Sequence, residues 1–136
     1  MRWQHEFEQE PFDTDNKEDF IQFCAEHLKD RFREDLYCWV AAENGLIIAH
    51  IYIAKIKKVP KPQEFDGAWG YTTAVYCISE YRNKGIGSAL MEKVKEWCVN
   101  QKLELLIVWP SERSVPFYER AGFNGANDVL ELSFEY

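Results

Sequence analysis

Tyr-Thr-Thr-Ala-Val-Tyr-Cys-Ile-Ser-Glu-Tyr-Arg-Asn-Lys-Gly-Ile-Gly-Ser-Ala-Leu-Met-Glu-Lys-Val-Lys-Glu-Trp, from Tyr71 to Trp97, decides how the rest of the chain is read. Tyr71 to Ile78 is rich in aromatic and β-branched residues, which suit a pleated, half-buried surface, so a strand is expected there. Ser79 to Lys84 is polar and reads as a turn. Ile86, Leu90, Val94 and Trp97 then recur on one helical face. The segment is strand, turn, helix.

The turn, Arg82-Asn83-Lys84-Gly85-Ile86-Gly87, lies where the helix begins. The first turn of a helix offers unpaired N–H groups and the positive end of its dipole. Two glycines let an anion approach the backbone, and Arg82 and Lys84 add charge, which suits a pyrophosphate. The same glycines also fit a turn that lets helix and strand pack closely. Their place after a strand and before a helix favours the ligand. No Gly-x-x-x-x-Gly-Lys-Ser/Thr is present, and the third glycine of a dinucleotide fingerprint would fall at Leu90.

Arg-x-x-Gly-x-Gly after such a strand resembles the acetyl-CoA-binding motif of the GNAT superfamily of N-acetyltransferases. A second block agrees: Leu103 to Trp109 reads as a strand, and Phe117-Tyr118-Glu119-Arg120-Ala121-Gly122-Phe123 is similar to the tyrosine-bearing helix of that family. The resemblance covers the chain from about Tyr37 onward. It implies that backbone near Val75, Tyr76 and Cys77 pairs with the pantetheine arm of acetyl-CoA. It implies that amides from Asn83 through Lys84, Gly85, Ile86 and Gly87 to Ser88 take the pyrophosphate, with Arg82 and Lys84 beside them. Tyr118 matches the general acid. Ser111 stands where the family often has asparagine, seven residues before the tyrosine, with Pro116 two before it, as some branches have. The resemblance also makes a homodimer the assembly to expect.

Composition bounds the rest. The chain has 136 residues, 46% hydrophobic and 15% aromatic, which predicts one domain, 1–136, with a real core. Its net charge is −7, which argues against nucleic acid as partner and mildly favours a cationic substrate. Cys24, Cys38, Cys77 and Cys98 show no Cys-x-x-Cys spacing and read as reduced, buried thiols. His5, His27 and His50 form no ligand pattern, so no metal is expected. With no apolar run long enough to span a bilayer and no signal peptide, the expectation is a cytoplasmic protein without a membrane partner.

In chain order, residues 1–10 read as the end of a first helix, with the usual first strand of the resembled family missing or displaced. Asp13 to Glu18 reads as a helix start, Asp15 capping and Glu18 reaching back. A stripe of Phe20, Phe23, Cys24, His27, Leu28 and Phe32 carries that helix to about Arg33. Tyr37 to Ala42 and Leu46 to Lys57 are strands, joined through Asn44-Gly45 as a hairpin. His50 reads as a satisfied core or sheet-face histidine, with a place beside the acceptor as the sharper alternative. Lys55 to Gly70 is a loop, from which Glu64 and Asp66 could lean toward a cationic acceptor. Strand, helix and strand over 71–109 make a right-handed βαβ unit. Ser111 to Ala121 is a short helix ended by Gly122, and Val129 to Phe134 alternates as a closing strand.

The expected fold is α+β, a mixed and mainly antiparallel sheet whose parallel central strands, about 71–78 and 103–109, splay apart between helices on both faces. The expected activity is transfer of acetyl from acetyl-CoA to a primary amine of a small molecule or peptide. No carboxylate lies on the central strand to serve as base; water held by Thr72, Thr73 or backbone is one route. The competing reading is a catalytically silent acyl-CoA-binding regulatory module. An unrelated α/β nucleotide binder is a third.

Overall fold

Asn44 and Gly45 both have positive φ, 51° and 79°, the backbone a two-residue hairpin turn needs. They join β1 (Leu36–Glu43) to β2 (Leu46–Lys57). The computed structural model describes residues 1–9, 14–125 and 129–136, and all their side chains except those of residues 3, 7 and 9. β2 pairs antiparallel with β1 on one side and with β3 (Ala68–Cys77) on the other. β4 (Leu106–Ile107) lies parallel to β3, giving a four-stranded mixed sheet in the order β1-β2-β3-β4.

Helices cover both faces. Ala49, Ile51 and Ile53 alternate along β2 toward α3 (Ile86–Asn100) and α4 (Val115–Arg120). Ile51, Ile53, Met91 and Val94 are fully buried there, and burying each such side chain contributes about 1.5–3 kcal/mol. On the other face His5 of α1 (Arg2–Gln9) stacks on Tyr76, with ring centroids 4.7 Å apart. α2 (Lys17–Arg31) lies beside α1 with no buried residue of its own.

The helix at the start of the chain (Arg2–Gln9), the hairpin, the bounds of β2, the α3 stripe and the parallel pairing of β3 with β4 are as expected. Several boundaries are not. β3 runs from Ala68 to Cys77 rather than from Tyr71 to Ile78, because its first residues complete the ladder with the end of β2, Lys57 opposite Ala68. The loop after β2 is therefore only Lys58 to Gly67. The apolar run from Leu103 to Trp109 pairs at only two positions, Gly70 with Leu106 and Tyr71 with Ile107. Leu105 and Trp109 are 51% and 61% exposed, so hydrophobicity there does not report a strand covered on both faces.

The α2 N-cap is Asn16, whose side chain makes no capping bond, so the expected Asp15 cap is displaced by one residue. Asp13 lies outside the described residues. A 3-10 turn, Glu112–Ser114, precedes α4, and Gly122 with φ 106° ends it. No strand forms over Val129 to Phe134: Leu130, Leu132 and Phe134 are exposed, and β4 offers only two ladder positions to extend. The four thiols are half-buried and free. No helix is long and apolar enough to cross a membrane among the described residues.

Met91→Ala should lower unfolding free energy by about 2–5 kcal/mol. Val99→Ala, at a position 77% exposed, should change it by less than about 0.5 kcal/mol. Urea midpoints at constant slope measure both.

Candidate functional site

The sheet opens beyond Tyr71. β3 carries a bulge opposite Tyr52 and Ile53, between Thr72 and Ala74, and its pairing with β4 stops just before it. Ile78 N–H bonds to Ile48 C=O. Main-chain direction alternates along a strand, so Tyr76 also turns its backbone groups to β2, while Val75 and Cys77 turn theirs to the open edge. A cavity of about 380 Å³ lies in this gap, lined by Val75, Tyr76 and Cys77 on one side and Ser111, Arg113 and Ser114 on the other. A second extended chain of ligand has a strand edge to pair with there.

The turn at the end of β3 sets the mouth of the gap. Asn83 and Gly85 have positive φ, 61° and 79°, and Gly85 is the N-cap of α3. The bond from Ala89 N–H to Gly85 C=O is the first of the helix. Ile86, Gly87 and Ser88 thus form the first turn, whose N–H groups precede the intrahelical ladder. The two glycines serve different ends. Nothing lies within 4 Å of where a Gly85 Cβ would be, whereas one on Gly87 would meet the Phe117 ring at 3.1 Å. Gly87 is therefore a packing position between α3 and α4; Gly85 supplies the left-handed turn.

Arg82 does not extend toward that mouth. Its Nε donates to Cys77 C=O at 2.7 Å, its Nη2 forms an ion pair with Glu8, and its guanidinium lies 5.3 Å from the centre of the Tyr76 ring. Glu8 also accepts the Tyr76 hydroxyl at 2.7 Å. The Arg82 bond holds the Glu8 carboxyl below its ordinary value, against the effect of burial. Burial, reinforced by Glu8, pushes the Tyr76 phenol up to about 12. Arg82, expected beside a pyrophosphate, is paired here with α1. Lys84 is exposed, with Nζ 5.4 Å from the Tyr81 ring centre.

Tyr118 is 7% exposed and sits between Phe117 and Phe123, at centroid distances of 5.1 and 5.3 Å. Val75, Leu106 and Val108 pack on the same cluster, which places the phenol below the point where the strands part. Burial, then Tyr71, pushes its pKa up to about 12, so it is protonated throughout the neutral range. Ser111 Oγ bonds to Ser114 Oγ at 3.1 Å, at the gap. Thr72 is buried with its hydroxyl unpartnered, while Thr73 is exposed. Glu64 does not approach the gap: with Glu104 it pairs with Lys58, at 3.6 and 2.6 Å. Asp66 does not line the gap either.

His5 and Glu8 were not legible as site residues. Glu8 meets Tyr76 and Arg82 across 68 and 74 positions of sequence, and no local pattern marks such a contact. His50, expected to be satisfied, is 2% exposed with Nε2 unpartnered.

A sheet that parts beside a helix N-terminus, with a buried phenol beneath the gap, defines an α+β domain built to hold an extended, anionic-ended ligand. The chain belongs to the Acetyltransferase (GNAT) family, which it matches over residues 1–123. Acetyltransferases of this family use acetyl-CoA. An acetyltransferase from Trypanosoma brucei is 25% identical with a TM-score of 0.68, over 81% of this chain and 77% of its own. A predicted acetyltransferase from Clostridium acetobutylicum, solved with acetyl-CoA, is 24% identical with a TM-score of 0.72, over 97% and 84%. A GCN5-related N-acetyltransferase from Ralstonia eutropha is 22% identical with a TM-score of 0.71, over 95% and 86%. No curated protein matches the chain by sequence.

Because the folded Glu8 pKa is depressed, its ion pair stabilises the protein above the ordinary carboxylate range and is lost as pH falls through the depressed value. Both partners are about a third exposed, so solvent screening limits the effect to about 1 kcal/mol. Thermal melts should show wild type above Glu8→Gln at pH 7, and the difference should shrink as pH falls below the ordinary carboxylate range.

Proposed function

We propose that the chain is an N-acetyltransferase that moves the acetyl group of acetyl-CoA to a primary amine of a small molecule or peptide. The parted edge of β3 carries this reading. The pantetheine arm would lie along Val75 to Cys77, its amides pairing with the main-chain groups of Val75 and with Cys77 N–H. The pyrophosphate would sit on the first turn of α3, among the amides of Asn83 to Ser88, with Lys84 rather than Arg82 as the mobile cation. Backbone donors at a helix start suit a doubly charged diphosphate without a buried counter-charge.

Transfer begins when the neutral amine attacks the thioester carbon and ends when the C–S bond breaks. The nitrogen, cationic once the N–C bond forms, loses a proton to solvent water; the leaving sulfur takes a proton from Tyr118, which solvent then reprotonates. A phenol near pKa 12 and a thiol at its ordinary value of about 8.5 differ by about 3.5 units, so donation in water would be uphill by roughly 5 kcal/mol. Inside the gap the thiolate suffers the same desolvation as the phenolate, and the difference shrinks. The buried setting of Tyr118 that raises its pKa is thus also what makes it usable.

Tyr118→Phe should leave acetyl-CoA affinity within about twofold, measured calorimetrically, and lower kcat by about 100-fold or more. ATP and NAD titrations should show no binding. A variant that keeps full turnover would remove Tyr118 from the mechanism. Acetyl-CoA binding with no turnover in an amine screen would favour the silent regulatory module.

A further inference from the structure

Thr72 Oγ1 is buried and has no protein hydrogen-bond partner. The residue as a whole is 2% exposed. It stands at the closed end of the gap. Tyr71 is the last residue of β3 to pair with β4, so Thr72 is the first one past the pairing, and the bulge follows it directly. Leaving a buried hydroxyl unpaired costs free energy, which a valine would avoid in nearly the same shape. A threonine held there at that cost points to a ligand group that completes the bond.

The ladder fixes which way Thr72 points. Its partner on β2 is Ile53, and directly opposite side chains share a face of the sheet. Ile53 belongs to the cluster that holds Tyr118, so the Thr72 side chain and the phenol lie on the same side, that of α3. Gly70 N–H bonds to Leu105 C=O, and main-chain direction repeats every second residue, so Thr72 turns its main chain toward the parted edge. After burial, it is Tyr71 that raises the Tyr118 pKa, which sets the phenol near the same end of the gap. Two hydroxyls on one side of the sheet thus flank the point where the strands part.

A cofactor arm would bring its reacting atoms to this point. With the diphosphate on the first turn of α3 and the arm running past Cys77 and Val75, the thioester would lie at the far end. From Cys77 to Thr72 the strand covers about 16 Å, a length that an extended pantetheine arm spans. We propose that Thr72 Oγ1 donates a hydrogen bond to the thioester oxygen and stabilises the oxyanion that forms when the nitrogen attacks. The inference rests on the acetyltransferase reading and adds a catalytic residue to it. As the N–C bond forms, the carbonyl electron pair moves onto oxygen, and Thr72 holds that charge while keeping its own proton. Collapse re-forms the C=O bond and breaks the C–S bond, and the sulfur takes its proton from Tyr118. Thr72 and Tyr118 therefore serve different atoms, the oxygen and the sulfur. A donor already fixed in a site that excludes water stabilises such a charge more than one in solution does.

The test uses hydroxylamine as acceptor, because this small nucleophile, neutral at pH 7, needs no amine pocket. Acetohydroxamate formed from acetyl-CoA measures turnover once the uncatalysed rate is subtracted. Thr72→Val should lower kcat about 100-fold, the scale of losing one oxyanion donor. Acetyl-CoA affinity, measured calorimetrically, should stay within about twofold, because the bond strengthens only as charge develops. The melting temperature should hold or rise, because the unpaired hydroxyl is gone. Thr72→Ser, which keeps the donor, should recover most of the rate. Isotope-edited infrared spectra of bound acetyl-CoA should place the thioester C=O stretch lower in wild type than in Thr72→Val, which reads the hydrogen bond without turnover. Unchanged kcat in Thr72→Val, or an unchanged stretch, overturns the proposal. A lowered melting temperature with unchanged kcat makes the hydroxyl structural, and a Thr72→Ser variant as slow as Thr72→Val makes the methyl the part that matters; either result overturns it too. Wild type that binds acetyl-CoA without speeding hydroxamate formation does the same. Failure of wild type to bind acetyl-CoA would instead defeat the acetyltransferase reading.

Discussion

A strand in the interior of a sheet cannot leave its main chain without a strand partner at no cost, and β3 does so on its β4 side at Val75 and Cys77. Its ladder with β2 holds along its length apart from the bulge, while its ladder with β4 ends after two residues. That mismatch organises the molecule. It creates the gap, it leaves Ser111 to Ser114 as the gap's far wall, and Val75 on the near wall packs on the cluster that holds Tyr118. Arg82 relieves one carbonyl of the open edge, that of Cys77.

The two faces of the sheet divide the work. Behind it, Met91 and Val94 of α3 lock onto Ile51 and Ile53, and the same packing carries Tyr118. In front, the contacts are polar and aromatic: His5 on Tyr76, Glu8 between Tyr76 and Arg82, His50 against Tyr52. Apolar burial is concentrated behind the sheet, and polar and aromatic pairing in front of it. Gly87 belongs to the first group. Its missing side chain makes room for Phe117, the residue before the tyrosine, so the start of α3 and the position of Tyr118 are set by one contact.

The sequence made the local elements readable and the long-range ones not. Asn44-Gly45 between apolar runs and the 86-90-94-97 stripe depend only on near neighbours, and both folded as read. The run from Leu103 to Trp109 misled because apolarity was taken for strand pairing, whereas its partner strand bulges away after Tyr71. The pairing of Arg82 with Glu8 was not readable, because Glu8 comes from a helix with no local signal of where it packs. The alternation from Val129 to Phe134 is a strand pattern that β4, with two ladder residues, does not extend. His50 looked like an ordinary interruption of an apolar strand, and only the three-dimensional count of hydrogen bonds distinguishes it.

Helix α2 has an apolar stripe but buries none of its residues, and Phe23 is 69% exposed. The catalytic frame thus does not need α2 for its cohesion. A segment so weakly bound to the core can change its sequence, length or tilt during evolution while the sheet and α3 keep their shape. α2 is therefore a replaceable part of the α1 face, and the chain can diverge there without passing through an unfolded ancestor.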